Sequence, residues 1–147
     1  MHVIKITEEP LSPWSELASF ESEHLQGATD FGAQANFIGY MRDFNEGDNV
    51  IGMTLEHYPS MTEQKLASLA EASDEKWPIL HTLIIHRTGN IKPSDPIVLV
   101  ATWSAHRKAA FESCRYLMEA LKSSVPFWKK EMLIDGSQRW VKKNTSG

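Results

Sequence analysis

The chain has 147 residues, 41% hydrophobic and 23% charged, which suits one domain spanning 1–147 with a core that needs no disulfide. No apolar run approaches a membrane span, no basic-then-apolar leader opens the chain, and a single cysteine excludes an internal disulfide framework, so a cytoplasmic protein is expected. The net charge of -4 hides an asymmetry, because residues 1–104 carry 6 Lys and Arg against 15 Asp and Glu while residues 105–147 carry 9 against 4. A basic last third on an acidic protein points to a focused anion site, and away from generic nucleic-acid binding, which usually comes with a basic domain.

In chain order, Val3 to Thr7 alternates as a first strand. Ser12-Pro13 opens a helix that reaches about His24, with a capping residue followed by proline at the first helical position. Phe31 to Arg42 alternates Phe31, Ala33, Ala35, Phe37 and Gly39 on one face. Asn45-Glu-Gly47 is a turn, after which Ile51, Met53 and Leu55 restart the alternation as a hairpin partner. Ser60-Met-Thr-Glu63 has the form of a capping box, and its helix runs toward Trp77, where Pro78 stops it. Leu80 to Arg87 and Ile97 to Ser104 are apolar strands joined by the turn-rich Lys92–Pro96. Ser104 is the expected cap of the longest helix, striped by Ala110, Phe111, Cys114, Leu117, Met118 and Leu121. Pro126 ends it, and Phe127 to Ile134 with Arg139 to Lys143 form a last hairpin around Asp135-Gly136. The expected fold is α+β, a mostly antiparallel sheet with three helices, similar to an α/β-hammerhead.

Three places carry candidate chemistry. Lys122 and Lys129 stand seven residues apart on either side of Pro126, at a corner between helix and strand. A lysine held by packed neighbours can lower its pKa, act as a nucleophile or grip an anion, although each alone also reads as a solvent-facing charge. Ser104-Ala-His106-Arg107 lies at a helix start, where unpaired N–H groups and the dipole favour a phosphate; the plain alternative is an exposed first turn. Phe37-Ile-Gly39-Tyr-Met-Arg42 ends a strand at a glycine open to close approach, with an arginine able to hold phosphate bidentately or simply to face solvent.

Cys114 is rejected as a nucleophile, because it lies mid-helix on the apolar stripe with no neighbour to lower its pKa. His86-Arg87 ends a strand before a Thr-Gly turn, which favours a structural role. The six histidines have no HExxH or HxH spacing and there is no cysteine pair, so no metal site is expected. There is also no phosphate-cradling glycine loop and no dinucleotide fingerprint.

Several motifs in order resemble the large (catalytic) subunit of molybdopterin synthase. They are Phe37-Ile-Gly-Tyr-Met-Arg42, Leu55-Glu-His-Tyr-Pro-Ser-Met-Thr-Glu63, His86-Arg87-Thr-Gly89, Ser104-Ala-His-Arg107, and Leu121-Lys122 through Pro126-Phe-Trp-Lys-Lys-Glu131. Asp135-Gly136 and Arg139-Trp140 follow them. The resemblance covers nearly the whole length, from Gly32-Ala33 to Trp140-Val141.

It implies a sulfurtransferase that places two sulfurs in cyclic pyranopterin monophosphate, making the dithiolene of molybdopterin in molybdenum cofactor biosynthesis. Sulfur would arrive as a thiocarboxylate on the C-terminal Gly-Gly tail of a ubiquitin-like small subunit. Two copies of each subunit would form a heterotetramer around a homodimer, with no cofactor or metal of its own and no nucleic-acid or membrane partner. By matching motif, Lys122 would be catalytic, either acylated by the tail or acting as acid or base on the pterin, and Lys129 would assist. Arg42, His106 and Arg107 would hold phosphate and pterin, with His106 and Arg107 reaching from the second subunit. Tyr40, Met41, Lys130 and Glu131 would line the same pocket, while Phe37 and Met118 would shape the tail channel. Tyr40 stands where family members often carry a basic residue, and Lys142 or Lys143 would take the place of a C-terminal arginine.

Two other readings compete. A non-catalytic adaptor would bind an acidic or C-terminal protein tail through the basic last third. An RNA-binding α+β domain would use the lysines and exposed aromatics, against an acidic first 104 residues. Neither explains why five motifs occur together.

Overall fold

A computed structural model describes residues 1–141. Lys142 and Lys143, with the end of the last expected strand, lie outside the described residues. In chain order the elements are β1 (His2–Thr7), α1 (Pro13–His24), β2 (Ala33–Tyr40), β3 (Phe44–Asn45), β4 (Asp48–His57), α2 (Met61–Lys76), β5 (Ile79–Arg87), β6 (Gly89–Ile91), β7 (Pro96–Ser104), α3 (Arg107–Ser124), β8 (Phe127–Leu133) and β9 (Gln138–Val141). This is the expected α+β arrangement, three helices on mostly antiparallel sheet. Among the described residues no helix is long and apolar enough to cross a membrane.

The first sheet has the order β1-β5-β7-β2, with β1 parallel to β5 and the other pairs antiparallel. Its central strands β5 and β7 are nearly continuous apolar runs because both faces are covered. Successive side chains alternate between those faces. Leu83, Ile85, Leu99, Ala101 and Trp103 pack with Leu17 and Phe20 of α1, while Ile84, Val98 and Val100 pack with Ala110, Leu117 and Leu121 of α3. Thr102 Oγ1 donates to the Ala110 carbonyl at 2.9 Å and ties α3 to β7. The second sheet runs β3-β4-β8-β9, with β6 also on β4, around Met41, Val50, Met53, Leu55 and Ile91.

The chain passes between sheets where β5 gives way to β6. There Arg87 is buried, and its Nη2 donates to the carbonyls of Glu8 (3.0 Å) and Asn90 (3.2 Å). Gly89 supplies the positive φ of +82° that turns the chain into β6.

Five expectations are corrected. The hairpin between the Phe31–Arg42 strand and the Ile51–Leu55 strand does not form: β2 pairs β7, and β4 pairs β8. At Met41 the backbone leaves the first sheet, exchanging hydrogen bonds with Asp95 and Ser94. The tight turn at Glu46-Gly47, with φ of 51° and 81°, joins β4 only to the two-residue β3. A bulge between Val50 and Gly52 turns Val50, Met53 and Leu55 inward and leaves Ile51 52% exposed.

The capping box at Ser60 is not made, because Ser60 sits at φ +67° without a side-chain cap bond and α2 is started by backbone bonds to Tyr58 and Ser60. Ser104 is the end of β7, not a cap; its hydroxyl donates to the His106 carbonyl, and α3 begins at Arg107. Phe111 lies outside the buried stripe and is 67% exposed, since one residue along a helix turns it about 100° from Ala110.

Candidate active site

The corner between α3 and β8 is set by local chemistry. The Val125 N–H closes the last helical bond to Leu121, and Val125 itself is extended, as a residue before proline prefers. Pro126 has no N–H with which to continue the helix, so the chain turns straight into β8, where Phe127 pairs with His57. Strand alternation then sends Phe127, Lys129 and Glu131 toward one face and Trp128, Lys130 and Met132 toward the other. Lys122, on the last turn of α3, meets Lys129 from the helix side.

The two lysines border two adjoining cavities of different character. An inner cavity of about 260 Å³ is mostly apolar, with Phe37, Met118, Leu121, Val125 and Phe127 in its wall together with His86. An outer cavity of about 150 Å³ is the more polar of the two, with Arg42, Asn45 and Glu131 in its wall beside Met41, Phe44 and Met53. Tyr40, Ile97, Lys122 and Lys129 belong to both. Phe37 and Met118 also line an open groove between β2 and α3, beside Phe111 and Arg115, so the inner cavity adjoins a surface path. Gly39 makes room at this wall, since a Cβ there would come within 2.9 Å of Val98 and 3.1 Å of the Phe37 ring.

Electrostatics distinguish the lining groups. Burial lowers the pKa of Lys129 from its ordinary value, and the positive charges of Lys122 and Arg42 lower it further against the pull of Glu131. Burial pushes His86 down to about 4; the bond to the Arg87 carbonyl opposes this, and the charges of Lys129, His57 and Lys122 add to it. Glu131 is buried and held: its carboxylate accepts from Arg139 Nε and Asn45 Nδ2, both at 3.0 Å. Arg139 also donates to Asp48 and to the Asn45 carbonyl, tying β9 to the β3–β4 turn that walls the outer cavity. Burial raises the Cys114 thiol to about 11, which agrees with its rejection as a nucleophile.

Of the candidates from sequence, Lys122, Lys129, Tyr40, Met41, Arg42, Glu131, Phe37 and Met118 come together at these cavities. Met41 contributes wall, with its side chain in the core of the second sheet, while the Arg42 guanidinium lies 4.8 Å from the centre of the Phe44 ring. Lys130 does not join them. It faces the opposite side of β8, with its ammonium 5.6 Å from the centre of the Trp140 ring.

His106 and Arg107 are exposed and belong to neither cavity. Arg107 and Lys122 stand near opposite ends of α3, ~22 Å apart along the axis at 1.5 Å per residue. Lys142 and Lys143 lie outside the described residues. The sequence gives His86 a structural reading, and the fold also sets it in the wall of the inner cavity. The strand-end His-Arg pair before a Thr-Gly turn signalled only its burial. Among the described residues no group of three His, Cys, Asp or Glu could hold a metal ion.

A family model described as MoaE protein matches residues 6–124. The molybdopterin synthase catalytic subunit of Pseudomonas aeruginosa is 44% identical over 138 residues, 94% of this chain and 89% of the relative. Among solved structures, the molybdopterin biosynthesis MoaE protein of Burkholderia ambifaria superposes with a TM-score of 0.80 at 39% identity, covering 100% of this chain and 93% of that one. Molybdopterin synthase from Staphylococcus aureus also gives a TM-score of 0.80, at 34% identity, covering 92% of this chain and 94% of that one.

Proposed function

The chain belongs to the MoaE protein family, and from that premise we propose that it is the catalytic subunit of a molybdopterin synthase. It takes sulfur from a thiocarboxylated small subunit and gives it to cyclic pyranopterin monophosphate, in a heterotetramer built on a homodimer in the cytoplasm. One observation carries the reading: Lys122 and Lys129 form a wall shared by an apolar cavity that adjoins a surface groove and by a polar cavity beside Arg42. An extended Gly-Gly tail suits the first, and a phosphorylated pterin suits the second.

On this reading the tail passes Phe37 and Met118 and brings its thiocarboxylate to the two lysines, whose cationic donors suit the anion. The thiocarboxylate sulfur bonds to a pterin side-chain carbon, whose oxygen leaves with a proton as water. A second water then cleaves the thioester between sulfur and the acyl carbon, releasing the tail as a carboxylate. A second thiocarboxylated tail supplies the second sulfur in the same way. Lys122 serves either as acid and base on the pterin or as a transient acceptor of the acyl group. Lys129, its pKa lowered by burial and by Lys122, exchanges a proton more readily at neutral pH than an exposed lysine. Arg42 neutralises the phosphate. Exposed in one chain, His106 and Arg107 act on the site of the second subunit. Lys130, on the other face of β8, has no part in the transfer.

Reconstitution tests the proposal. Purified chain, thiocarboxylated small subunit and cyclic pyranopterin monophosphate should together give molybdopterin, and omission of any one should give none. Tail binding without product under these conditions would favour the adaptor reading.

A further inference from the structure

His86 stands at the inner cavity with one nitrogen committed and one free. Its ring lies flat against Phe127, with centroids 3.8 Å apart and planes 13° from parallel, so its orientation is fixed by packing. Nδ1 is 2.7 Å from the Arg87 carbonyl, which can only accept, so Nδ1 carries the proton and Nε2 is a bare acceptor. Among the described residues Nε2 makes no hydrogen bond, although His86 is only 5% exposed and lines the cavity. The cations nearby and the burial both keep the ring neutral. The inner cavity therefore offers two ammonium donors and one neutral acceptor in a largely apolar wall. The complementary ligand has an anionic end followed by an N–H donor, which describes a peptide C-terminus.

We propose that Nε2 of His86 accepts a hydrogen bond from a backbone N–H of the small subunit's tail and so fixes how far the terminal acyl group advances toward Lys122 and Lys129. This rests on the reading that the tail enters the inner cavity. The N–H groups of the bound pterin are the competing donor, but the pterin belongs to the polar outer cavity, of which His86 is not a part. His86 is thus a residue that positions the donor substrate, and its loss should appear in tail binding and not in pterin affinity.

The test uses the full-length chain, a small subunit ending in Gly-Gly as the free carboxylate for binding, and the thiocarboxylated small subunit for turnover. His86→Phe keeps the stacking on Phe127 and removes the acceptor; His86→Gln restores an acceptor near the position of Nε2. His86→Phe should weaken the small subunit's Kd about tenfold, the worth of one buried hydrogen bond, and leave the KM for the pterin unchanged. His86→Gln should recover most of the loss. A semisynthetic small subunit with sarcosine at the last or the penultimate glycine removes one tail N–H at a time without altering the folded chain. One of the two should weaken binding to the wild type about tenfold and to His86→Phe hardly at all. Equal Kd for wild type and His86→Phe, a rise in pterin KM with Kd unchanged, or sarcosine losses that persist in His86→Phe would each overturn the proposal. If the wild type fails to bind the unmodified tail, the reading of the cavity itself falls, and the proposal with it.

Discussion

The two ends of α3 look alike in sequence and differ in the folded chain. Each carries basic residues where helix meets strand, His106-Arg107 at the start and Lys122 at the finish. The C-terminal end folds back through Pro126 onto β8, so that half-buried Lys122 gains Lys129 and a cavity on each side. The N-terminal end projects its two side chains into solvent, ~22 Å away. A helix N-terminus with basic residues is thus an anion site only when something closes over it, and in one chain nothing among the described residues does. The difference is explained if a second copy supplies the missing wall.

The largest effect should come from the enclosed end. Lys122→Ala should lower molybdopterin formation by about 10³-fold and Lys129→Ala by about 10²-fold, the range for loss of a positioned acid–base group. Thermal unfolding should barely move, because both lysines line cavities and neither belongs to the buried apolar core. Activity within twofold of wild type for Lys122→Ala would remove the distinction between the ends.

The exposed end is tested by mixing subunits. Lys122→Ala and Arg107→Ala homodimers should each be poor enzymes. Heterodimers of the two should regain up to about half the activity per dimer, since one site then has both residues intact. If Arg107 serves its own chain, every site keeps one defect and the mixture stays inactive.

A pH titration sharpens the contrast through His86. The unfolded imidazole binds a proton near its ordinary pKa of 6.5, whereas the folded one resists until about 4. Between those values the unfolded state holds more protons, so stability is full above pH 6.5, falls as the pH drops toward 4 and then levels. The loss is at most about 3 kcal/mol, at 1.36 kcal/mol per unit. Denaturant melts from pH 7 to pH 4 should show this fall in the wild type and a smaller one in His86→Phe. The smallest effects belong to residues outside the cavities: Lys130→Ala and Cys114→Ala should leave turnover within about twofold. Cys114→Ala should cost only about 1 kcal/mol of stability for the lost packing volume.

Much of the fold was legible because the period of the apolar pattern separates strands from helices. Pro78 and Pro126 mark helix ends with little ambiguity. Pairing was less legible. β2 and β4 read as a hairpin because they are neighbours in sequence, and nothing local announces that Met41 leaves the sheet to bond with Asp95 and Ser94. The motifs point to Lys122, Lys129 and Arg42, and the fold gathers all three at the cavities. The motif also points to Lys130 as pocket lining, but alternation along β8 sends it to the face opposite Lys129. His86 reads as structural in sequence, because burial beside a structural arginine looks the same whether or not the ring also faces a cavity. Glu131 lines the outer cavity as the motif implies, with its carboxylate committed to Arg139 and Asn45.

The division of labour across the lysine wall is tested most directly by a crystal structure of the assembled heterotetramer with carboxylate-form small subunit and cyclic pyranopterin monophosphate. The expected result is the tail carboxylate in the inner cavity, the pterin in the outer one beside Arg42, and Lys122 and Lys129 in contact with both. A pterin bound out of reach of Lys122, or a tail that ends anywhere but the inner cavity, would contradict it.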